Sequence, residues 1–378
     1  MSDPQWLTIP EIVRAAHSTL SANVWDFSCG GAESETTLRR NRAGFDEIAF
    51  RPRALRGVAH RSTATKFLGF DLALPVMFAP VGSIALFDPN GALAVARVAD
   101  RVGTIPFVGA LNRPSMQDVR AGSDGPLFFQ IYVRGDRPWM EALIRRAEDS
   151  GYSGLALTVD NATYSRRERD LHNRYLSRSE GGSGGGQPNL QGLPEPTGTL
   201  KGAEYQADLT WEDVEWMKQV TKLPVMLKGI QDGEDAALAV QHGADVVYVS
   251  NHGGRQIDHA PGCIDVLPEV VRSVNGKAEV IIDGGFMRGS DVIKAVAIGA
   301  KAVCIGKLMA WGLAAGGEAG LECAMDILKT EITINMGNLG VSSISELTPD
   351  CLRPATPPPA DVWPVGENPA AVAVGSVL

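Results

Sequence analysis

The sequence predicts an α/β protein with the TIM (β/α)8 barrel fold, an N-terminal helical extension and a long insertion after the fourth strand. Eight short β-rich runs follow one another from residue 74, and amphipathic helical stretches separate them. Most of these runs are continuously apolar, which is typical of parallel strands that are buried on both faces. Alternating strands and helices also occur in a doubly wound open sheet, which is the alternative architecture.

The barrel is expected within residues 74–335, and its elements follow from the local pattern and the turn signals. The predicted strands are Leu74–Ala79, Thr104–Val108, Leu127–Val133, Gly154–Val159, Pro224–Leu227, Val246–Val249, Glu279–Ile282 and Ala302–Ile305. The predicted helices include Asn90–Arg101, Pro138–Asp149, Trp211–Val220, Gly233–His242, Ser290–Ile298 and Gly317–Thr330.

The segments that flank the barrel belong to the same single domain, residues 1–378. Residues 1–73 form the N-terminal extension, with helical patterns at Ile9–Leu20 and Glu35–Arg42, and we expect it to cap the bottom of the barrel. Residues 336–378 form a C-terminal arm that is rich in proline and alanine towards its end.

The insertion, residues 161–210, contains the glycine-serine run Gly181–Gly186 and three nearby prolines. Because this composition buries little apolar surface, it predicts a mobile active-site loop or a disordered one. Whether the glycine-serine run is natural or an engineered replacement stays open.

Composition and charge exclude several classes of function. The chain has 378 residues, of which 44% are hydrophobic, and a formal net charge of −9, which disfavours nucleic acid as a partner. No apolar run approaches the roughly 20 residues of a membrane span, so we expect a cytoplasmic protein. The cysteines suggest neither a disulfide framework nor a metal site, since no CxxC pair occurs among Cys29, Cys263, Cys304, Cys323 and Cys351.

Polar residues and glycines follow most of the predicted strands at the point where each strand ends. In a TIM barrel these ends meet at one face, which carries the active site. Any one of these residues alone could be a helix cap or a satisfied core group, but their common position predicts a site. They are Gln130, Tyr132, Thr158, Asp160, Lys228, Ser250, His252, Asp283, Gly284, Gly285, Gly306 and Lys307.

Three of these residues, together with arginines in the loops after the fourth and sixth strands, suit the removal of a proton from a substrate that carries a carboxylate. His252 is the candidate general base because its unperturbed pKa lies near neutrality, and Asp160 could orient its ring. Arg255 lies three residues after His252, and its planar guanidinium could bind a carboxylate with two hydrogen bonds. The pair Arg166-Arg167 in the insertion either offers a second cationic clamp or is a basic pair on a solvated loop, and Tyr132 offers a hydroxyl donor.

The glycines after the seventh and eighth strands predict a bound phosphate group. Gly284, Gly285 and Gly306 follow the strands after which TIM barrels commonly build a phosphate site from backbone amides. Lys228 ends a strand and could neutralise negative charge on a cofactor.

Taken together, these motifs resemble the FMN-dependent 2-hydroxy acid oxidase and dehydrogenase family, which includes glycolate oxidase, lactate oxidase, mandelate dehydrogenase and hydroxymandelate oxidase. The resemblance covers about residues 5–355 and is carried by Gly30-Gly31-Ala32, Thr37-Leu38, Asn41-Arg42, Arg51-Pro52-Arg53, Ala79-Pro80, Gln130-Ile131-Tyr132, Thr158-Val159-Asp160, Arg166-Arg167-Glu168, Leu227-Lys228-Gly229, Ser250–Asp258, Asp283-Gly284-Gly285 and Ile305-Gly306.

The resemblance implies FMN as cofactor, oxidation of an (S)-2-hydroxy acid to the 2-oxo acid, and a homotetramer. It implies that His252 is the base, Asp160 its partner, and Arg255, Arg167 and Tyr132 the substrate-binding residues. The electron acceptor is either O2 or another carrier. The residues implied to contact FMN are Pro80, Val81, Gly82, Gln130, Thr158, Lys228, Ser250, Asp283, Gly284, Gly285, Arg288, Gly306 and Lys307.

Three departures from the family pattern suggest a substrate larger than glycolate. Phe27 stands where many members carry a substrate-binding tyrosine, and this phenyl ring suggests an aromatic or apolar substrate. Gly109 and Leu111 stand where glycolate oxidases have a serine and a tryptophan, so we expect a wider pocket.

Further departures concern the cofactor. Met287 and Lys307 occupy positions that are often arginine, and Arg288 is displaced by one residue, so we expect weaker FMN binding than is usual. Gly82 is also glycine in dehydrogenase members, which favours slow reaction with oxygen. The alternatives are a non-redox FMN-dependent isomerase, which Arg255 and Arg167 speak against, and a flavin-binding protein without turnover.

Overall fold

The computed structural model describes residues 6–175 and 186–357. Its central feature is a nearly closed barrel of eight parallel strands. They are β1 (Val76–Phe78), β2 (Phe107–Gly109), β3 (Phe128–Ile131), β4 (Gly154–Thr158), β5 (Val225–Ile230), β6 (Val246–Val249), β7 (Glu279–Ile282) and β8 (Ala302–Ile305). β1 pairs with β8, and a parallel bridge between Phe78 and Pro106 joins the two ends of the sheet. The predicted TIM barrel is confirmed, and each observed strand overlaps a predicted one.

Both faces of the barrel strands are buried, which explains their continuous apolar sequence. Large side chains such as Phe128 and Tyr248 fill the interior with Met77, Phe107 and Ile281. The alternate residues of each strand point outward and pack against the surrounding helices. The barrel is therefore a packed core, and space for a ligand exists at its end.

The helices surround the barrel and precede it. They are α1 (Ile9–Thr19), α2 (Ala22–Cys29), α3 (Thr36–Asp46), α4 (Ala92–Val102), α5 (Met116–Ala121), α6 (Arg137–Asp149), α7 (Glu168–His172), α8 (Glu204–Ala207), α9 (Trp211–Val220), α10 (Gly233–Gln241), α11 (Cys263–Val274), α12 (Gly289–Ile298) and α13 (Lys307–Leu339). α13 begins ten residues before its predicted start, because the chain is helical on both sides of a kink at Gly316 and Gly317. It also crosses the predicted barrel boundary at residue 335.

The N-terminal extension covers both ends of the barrel, whereas the sequence predicted only the bottom. A hairpin of strands Thr65–Phe67 and Phe70–Leu72 closes the bottom, and the backbone N–H of Leu68 donates to Glu279 at the start of β7. At the other end, the side-chain amides of Asn41 in α3 and Asn251 after β6 donate to each other's oxygen, both at 2.9 Å. The extension therefore contributes directly to the face where the strands end.

Part of the insertion packs on the barrel. Asn189 is fully buried, and its side-chain oxygen accepts a hydrogen bond of 2.6 Å from the backbone N–H of Met116 in α5. Most of the glycine-serine run, residues 181–185, lies outside the described residues, so the mobility of this loop stays a prediction.

The described part of the C-terminal arm is attached to the extension. Its strand Leu352–Pro354 pairs antiparallel with Ile48–Phe50. The end of the arm, residues 358–378, lies outside the described residues. No helix in residues 6–175 or 186–357 is both long and apolar enough to cross a membrane.

Candidate active site

A cavity of about 870 Å³ opens where the barrel strands end. Loops that follow the strands line it, together with α2, α3 and the insertion. Most of the sequence-predicted site residues meet here. Those that line the cavity are Phe27, Pro80, Val81, Gly82, Leu111, Tyr132, Arg167, Lys228, His252, Arg255, Asp283, Gly284, Gly285, Gly306 and Lys307.

Four other predicted residues lie behind this lining and support it. The Gln130 side-chain amide donates to the Thr158 hydroxyl at 2.8 Å, and Asp160 and Ser250 hold other side chains in place. Gly109 does not line the cavity, and a Cβ here would point at the side-chain oxygens of Asn112 and Gln130, each 3.1 Å away. The expectation that Gly109 widens the pocket therefore has no direct geometric support.

His252 is held on both ring nitrogens. Its Nδ1 lies 2.9 Å from Asp160 Oδ1, and its Nε2 lies 3.0 Å from the Tyr132 hydroxyl oxygen. The residue adopts a φ of 59°, which non-glycine residues seldom do, so these contacts stabilise a strained turn. We call His252, Asp160 and Tyr132 the histidine end of the cavity.

Burial and charge set the protonation states at the histidine end. Burial lowers the pKa of His252, and the charge of Asp160 offsets this only in part. Burial opposes ionisation of Asp160, but His252 and Lys228 keep the pKa of Asp160 below its usual range. Burial raises the pKa of Tyr132 to about 12. At neutral pH, a neutral His252 would then donate from Nδ1 to an ionised Asp160 and keep the Nε2 lone pair for a proton.

Two guanidinium groups form the anion-binding side of the cavity. Arg255 donates from Nη1 to the backbone oxygens of Phe27 and Gly30 at 2.7 and 2.6 Å. Burial, together with the nearby Arg167, lowers the pKa of Arg255 to about 9. Arg167 donates to the Tyr164 hydroxyl at 2.9 Å and packs over its ring. Arg167 is buried and Arg255 is partly buried, and two cations this close together favour a bound anion.

Lys228 brings a buried positive charge to the cavity wall. Its ammonium donates to the Ser250 hydroxyl at 2.9 Å and lies 3.6 Å from Asp283. Burial alone would lower the pKa of Lys228, but Asp283 and Asp160 hold it above its usual range. The ammonium therefore remains charged and can balance negative charge on a bound group.

The cavity has a second end, which we call the glycine end: Gly284, Gly285, Gly306 and Lys307. Gly284 and Gly285 have φ values of 102° and 84°, and a Cβ on Gly285 would lie 2.3 Å from the Asn41 backbone oxygen. Lys307 is the first residue of α13, and burial together with Arg255 lowers its pKa to about 7. Backbone amides, a helix start and a lysine together suit a phosphate group.

The model of the FMN-dependent dehydrogenase family matches residues 16–354. The chain belongs to this family. Glycolate oxidase 3 of Oryza sativa subsp. indica is 38% identical over 349 residues, which are 90% of this chain and 94% of the relative. The L-lactate oxidase of a Nostoc species is 40% identical over 350 residues, 89% and 95% of the two chains. A soluble mutant of the membrane-associated (S)-mandelate dehydrogenase from Pseudomonas putida aligns with a TM-score of 0.86 and 32% identity, over 93% of this chain and 100% of that chain.

As a member of the FMN-dependent dehydrogenase family, the protein is a flavoprotein oxidoreductase with FMN as its cofactor. The predicted family and cofactor are thus confirmed. The residues present fit FMN: the glycine end offers backbone N–H groups and Lys307 for a phosphate, and Lys228 offers a buried charge farther along the cavity. Bound FMN supplies the capacity to accept two electrons.

Near the glycine end, the arginine that lines the cavity is not the one that the sequence predicted to contact FMN. Arg288 does not line the cavity, because its guanidinium pairs with Glu331 at 2.7 Å and its side chain is 42% exposed. Arg42, which the sequence marked only as part of a family motif, does line it. Strand ends could not reveal Arg42, since it lies on α3 of the extension, and only its place in that motif could have drawn attention to it.

Proposed function

We propose that this protein oxidises (S)-2-hydroxy acids with an aromatic or bulky side chain, such as mandelate, to 2-oxo acids, with His252 as the base. The observation that carries the proposal is that His252, Arg255 and Arg167 all line the cavity that fits FMN. A base and two guanidinium groups suit a substrate that carries both a hydroxyl group and a carboxylate.

Each residue has a specific task in this reaction. Arg255 and Arg167 bind the substrate carboxylate, and the Tyr132 hydroxyl donates a hydrogen bond to a substrate oxygen. His252 Nε2 takes one proton, and Asp160 stabilises the imidazolium that results. The substrate loses two protons and two electrons in total: one proton goes to His252, the second proton and both electrons would be accepted by bound FMN, and the 2-oxo acid leaves.

The expectation of a bulky substrate is supported by the apolar lining. Leu111 lines the cavity, and its Cβ lies 3.7 Å from where a Cβ on Gly82 would stand. Phe27 lines the cavity as well, and the Arg255 guanidinium carbon lies 4.9 Å from the centre of its ring. The similar (S)-mandelate dehydrogenase acts on an acid of this kind, as its name states. The expected homotetramer, cytoplasmic location and slow reaction with oxygen stay predictions.

A direct test is to mix the yellow protein anaerobically with (S)-mandelate, (S)-lactate and glycolate and to follow the flavin absorbance. We expect all three to bleach the flavin, with the highest kcat/KM for (S)-mandelate. (R)-mandelate is the matched control and should leave the absorbance unchanged. No bleaching with any of the (S) acids or glycolate would contradict the proposal. Admitting air afterwards then measures how fast O2 accepts the electrons.

A further inference from the structure

We propose that Arg42, on helix α3 of the N-terminal extension, binds the phosphate group of FMN through the free side of its guanidinium. This assigns a cofactor-binding residue outside the barrel. It concerns the binding of FMN and does not depend on which acid is oxidised.

The position of Arg42 follows from two short hydrogen bonds. Its Nη1 donates to the backbone oxygen of Gly285 at 2.5 Å and to Asp291 Oδ2 at 2.7 Å. Gly285 belongs to the glycine end, so this guanidinium lies directly beside the turn that suits a phosphate. Arg42 lines the cavity and its side chain is 29% exposed, so it is accessible to a ligand.

The same bonds leave a donor surface for an anion. Both use Nη1, and neither Nη2 nor Nε donates a hydrogen bond to another residue in the described part of the chain. Because a guanidinium group is planar, hydrogen bonds from Nη1 also fix the directions in which Nη2 and Nε can donate. Asp291 is itself held in place, because it also accepts from the backbone N–H groups of Met287 and Arg288, each at 3.0 Å.

The loop after β7 does not itself bring a cationic side chain to this place. Met287 lines the cavity with an uncharged side chain. Arg288, the next residue, is turned away to Glu331. The positive charge next to the Gly284–Gly285 turn therefore comes from α3 through Arg42, and Lys307 adds to it from α13. This arrangement would offset the loss of affinity expected from the sequence at position 287.

The test compares FMN with riboflavin, which lacks the phosphate, on the full-length holoprotein. Wild type, R42Q, R42K and R288Q are equilibrated in phosphate-free buffer with graded ratios of the two flavins, and the bound flavins are released and quantified. We expect R42Q to reduce the preference for FMN by about 10- to 100-fold, as the loss of a hydrogen bond to a charged group does. R42K should lose less, and R288Q should keep the wild-type preference.

Because riboflavin lacks only the phosphate, the ratio of the FMN affinity to the riboflavin affinity measures the contribution of the phosphate group alone. A riboflavin affinity equal to that of wild type shows that R42Q retains the flavin site. The proposal is overturned if R42Q keeps the wild-type preference, if it loses both flavins equally, or if R288Q shows the same loss. Since no 2-hydroxy acid is present, these outcomes are separate from those that test the proposed oxidation.

Discussion

The histidine end and the glycine end of the cavity differ in how far the protein itself provides partners for their polar and charged side chains. At the histidine end, both ring nitrogens of His252 have a protein partner, at 2.9 and 3.0 Å. At the glycine end, the Lys307 ammonium donates to the backbone oxygen of Cys29 at 3.0 Å, and burial together with Arg255 lowers its pKa to about 7. Protein contacts thus orient the His252 ring, whereas the glycine end carries positive charge that a bound anion would neutralise.

This difference separates the chemical step from cofactor binding. A base that is pre-oriented by a carboxylate and a hydroxyl group is typical of the place where protons move. Backbone donors and basic side chains beside the start of a helix are typical of a place that only holds a charge. Variants at one end should therefore change rates, and variants at the other should change FMN affinity.

The largest effect is expected at the histidine end. His252→Asn removes the proposed base, so the rate of anaerobic flavin reduction by (S)-mandelate should fall by about 10²- to 10⁴-fold. Stopped-flow absorbance measures this rate, and the amount of bound FMN should equal that of wild type. Flavin reduction at the wild-type rate would exclude His252 as the base. A variant that binds less FMN as well as reducing it more slowly would show that the two ends of the cavity do not act separately.

At the glycine end we expect a pH effect on FMN affinity. Lys307 is half-protonated near pH 7 in the free protein, and a bound phosphate should raise its pKa, so binding takes up a proton. Affinity should then fall as pH rises from 7 to 9, by at most about tenfold per pH unit, while the phosphate itself, with a second pKa of about 6, hardly changes. The charged or titratable groups near Lys307 are Arg255, Cys29, Glu35 and Arg169.

Equilibrium FMN binding across this pH range, with Lys307→Arg as the matched control, checks this expectation. Arginine stays charged throughout, so the variant should show a flatter profile than wild type. Equal pH profiles for the two proteins would show that Lys307 does not gain a proton when FMN binds.

The smallest effect is expected at Phe27, close to Arg255. Phe27→Tyr adds a hydroxyl donor beside the carboxylate-binding side, and one hydrogen bond contributes about 1 kcal/mol, or roughly fivefold. Glycolate depends more on its carboxylate than mandelate does, so the ratio of kcat/KM for glycolate to that for (S)-mandelate should rise severalfold. A ratio that falls instead would contradict a role of Phe27 in selecting the substrate.

The sequence predicted the barrel and most of the cavity because both depend on local patterns. A polar residue directly after an apolar strand must lie at the open face, so His252, Asp160 and Lys228 could be placed from chain order alone. Arg42 could not, because the position of an extension depends on tertiary packing that no periodicity encodes. The direction of Arg288 was also unpredictable, since it depends on Glu331 of α13.

The reciprocal amide pair of Asn41 and Asn251 has a consequence for chimeric proteins. Asn41 Oδ1 also accepts from the backbone N–H of Cys263, and Asn251 Oδ1 accepts from that of Gly254, each at 3.0 Å. Each side-chain amide therefore has one fixed orientation. An aspartate at either position would place a carboxylate oxygen opposite the side-chain oxygen of the remaining asparagine, and both of these atoms are acceptors. A recombinant protein that takes its first fifty residues from one parent and its barrel from another must keep position 41 matched to position 251, or the two parts will not assemble correctly.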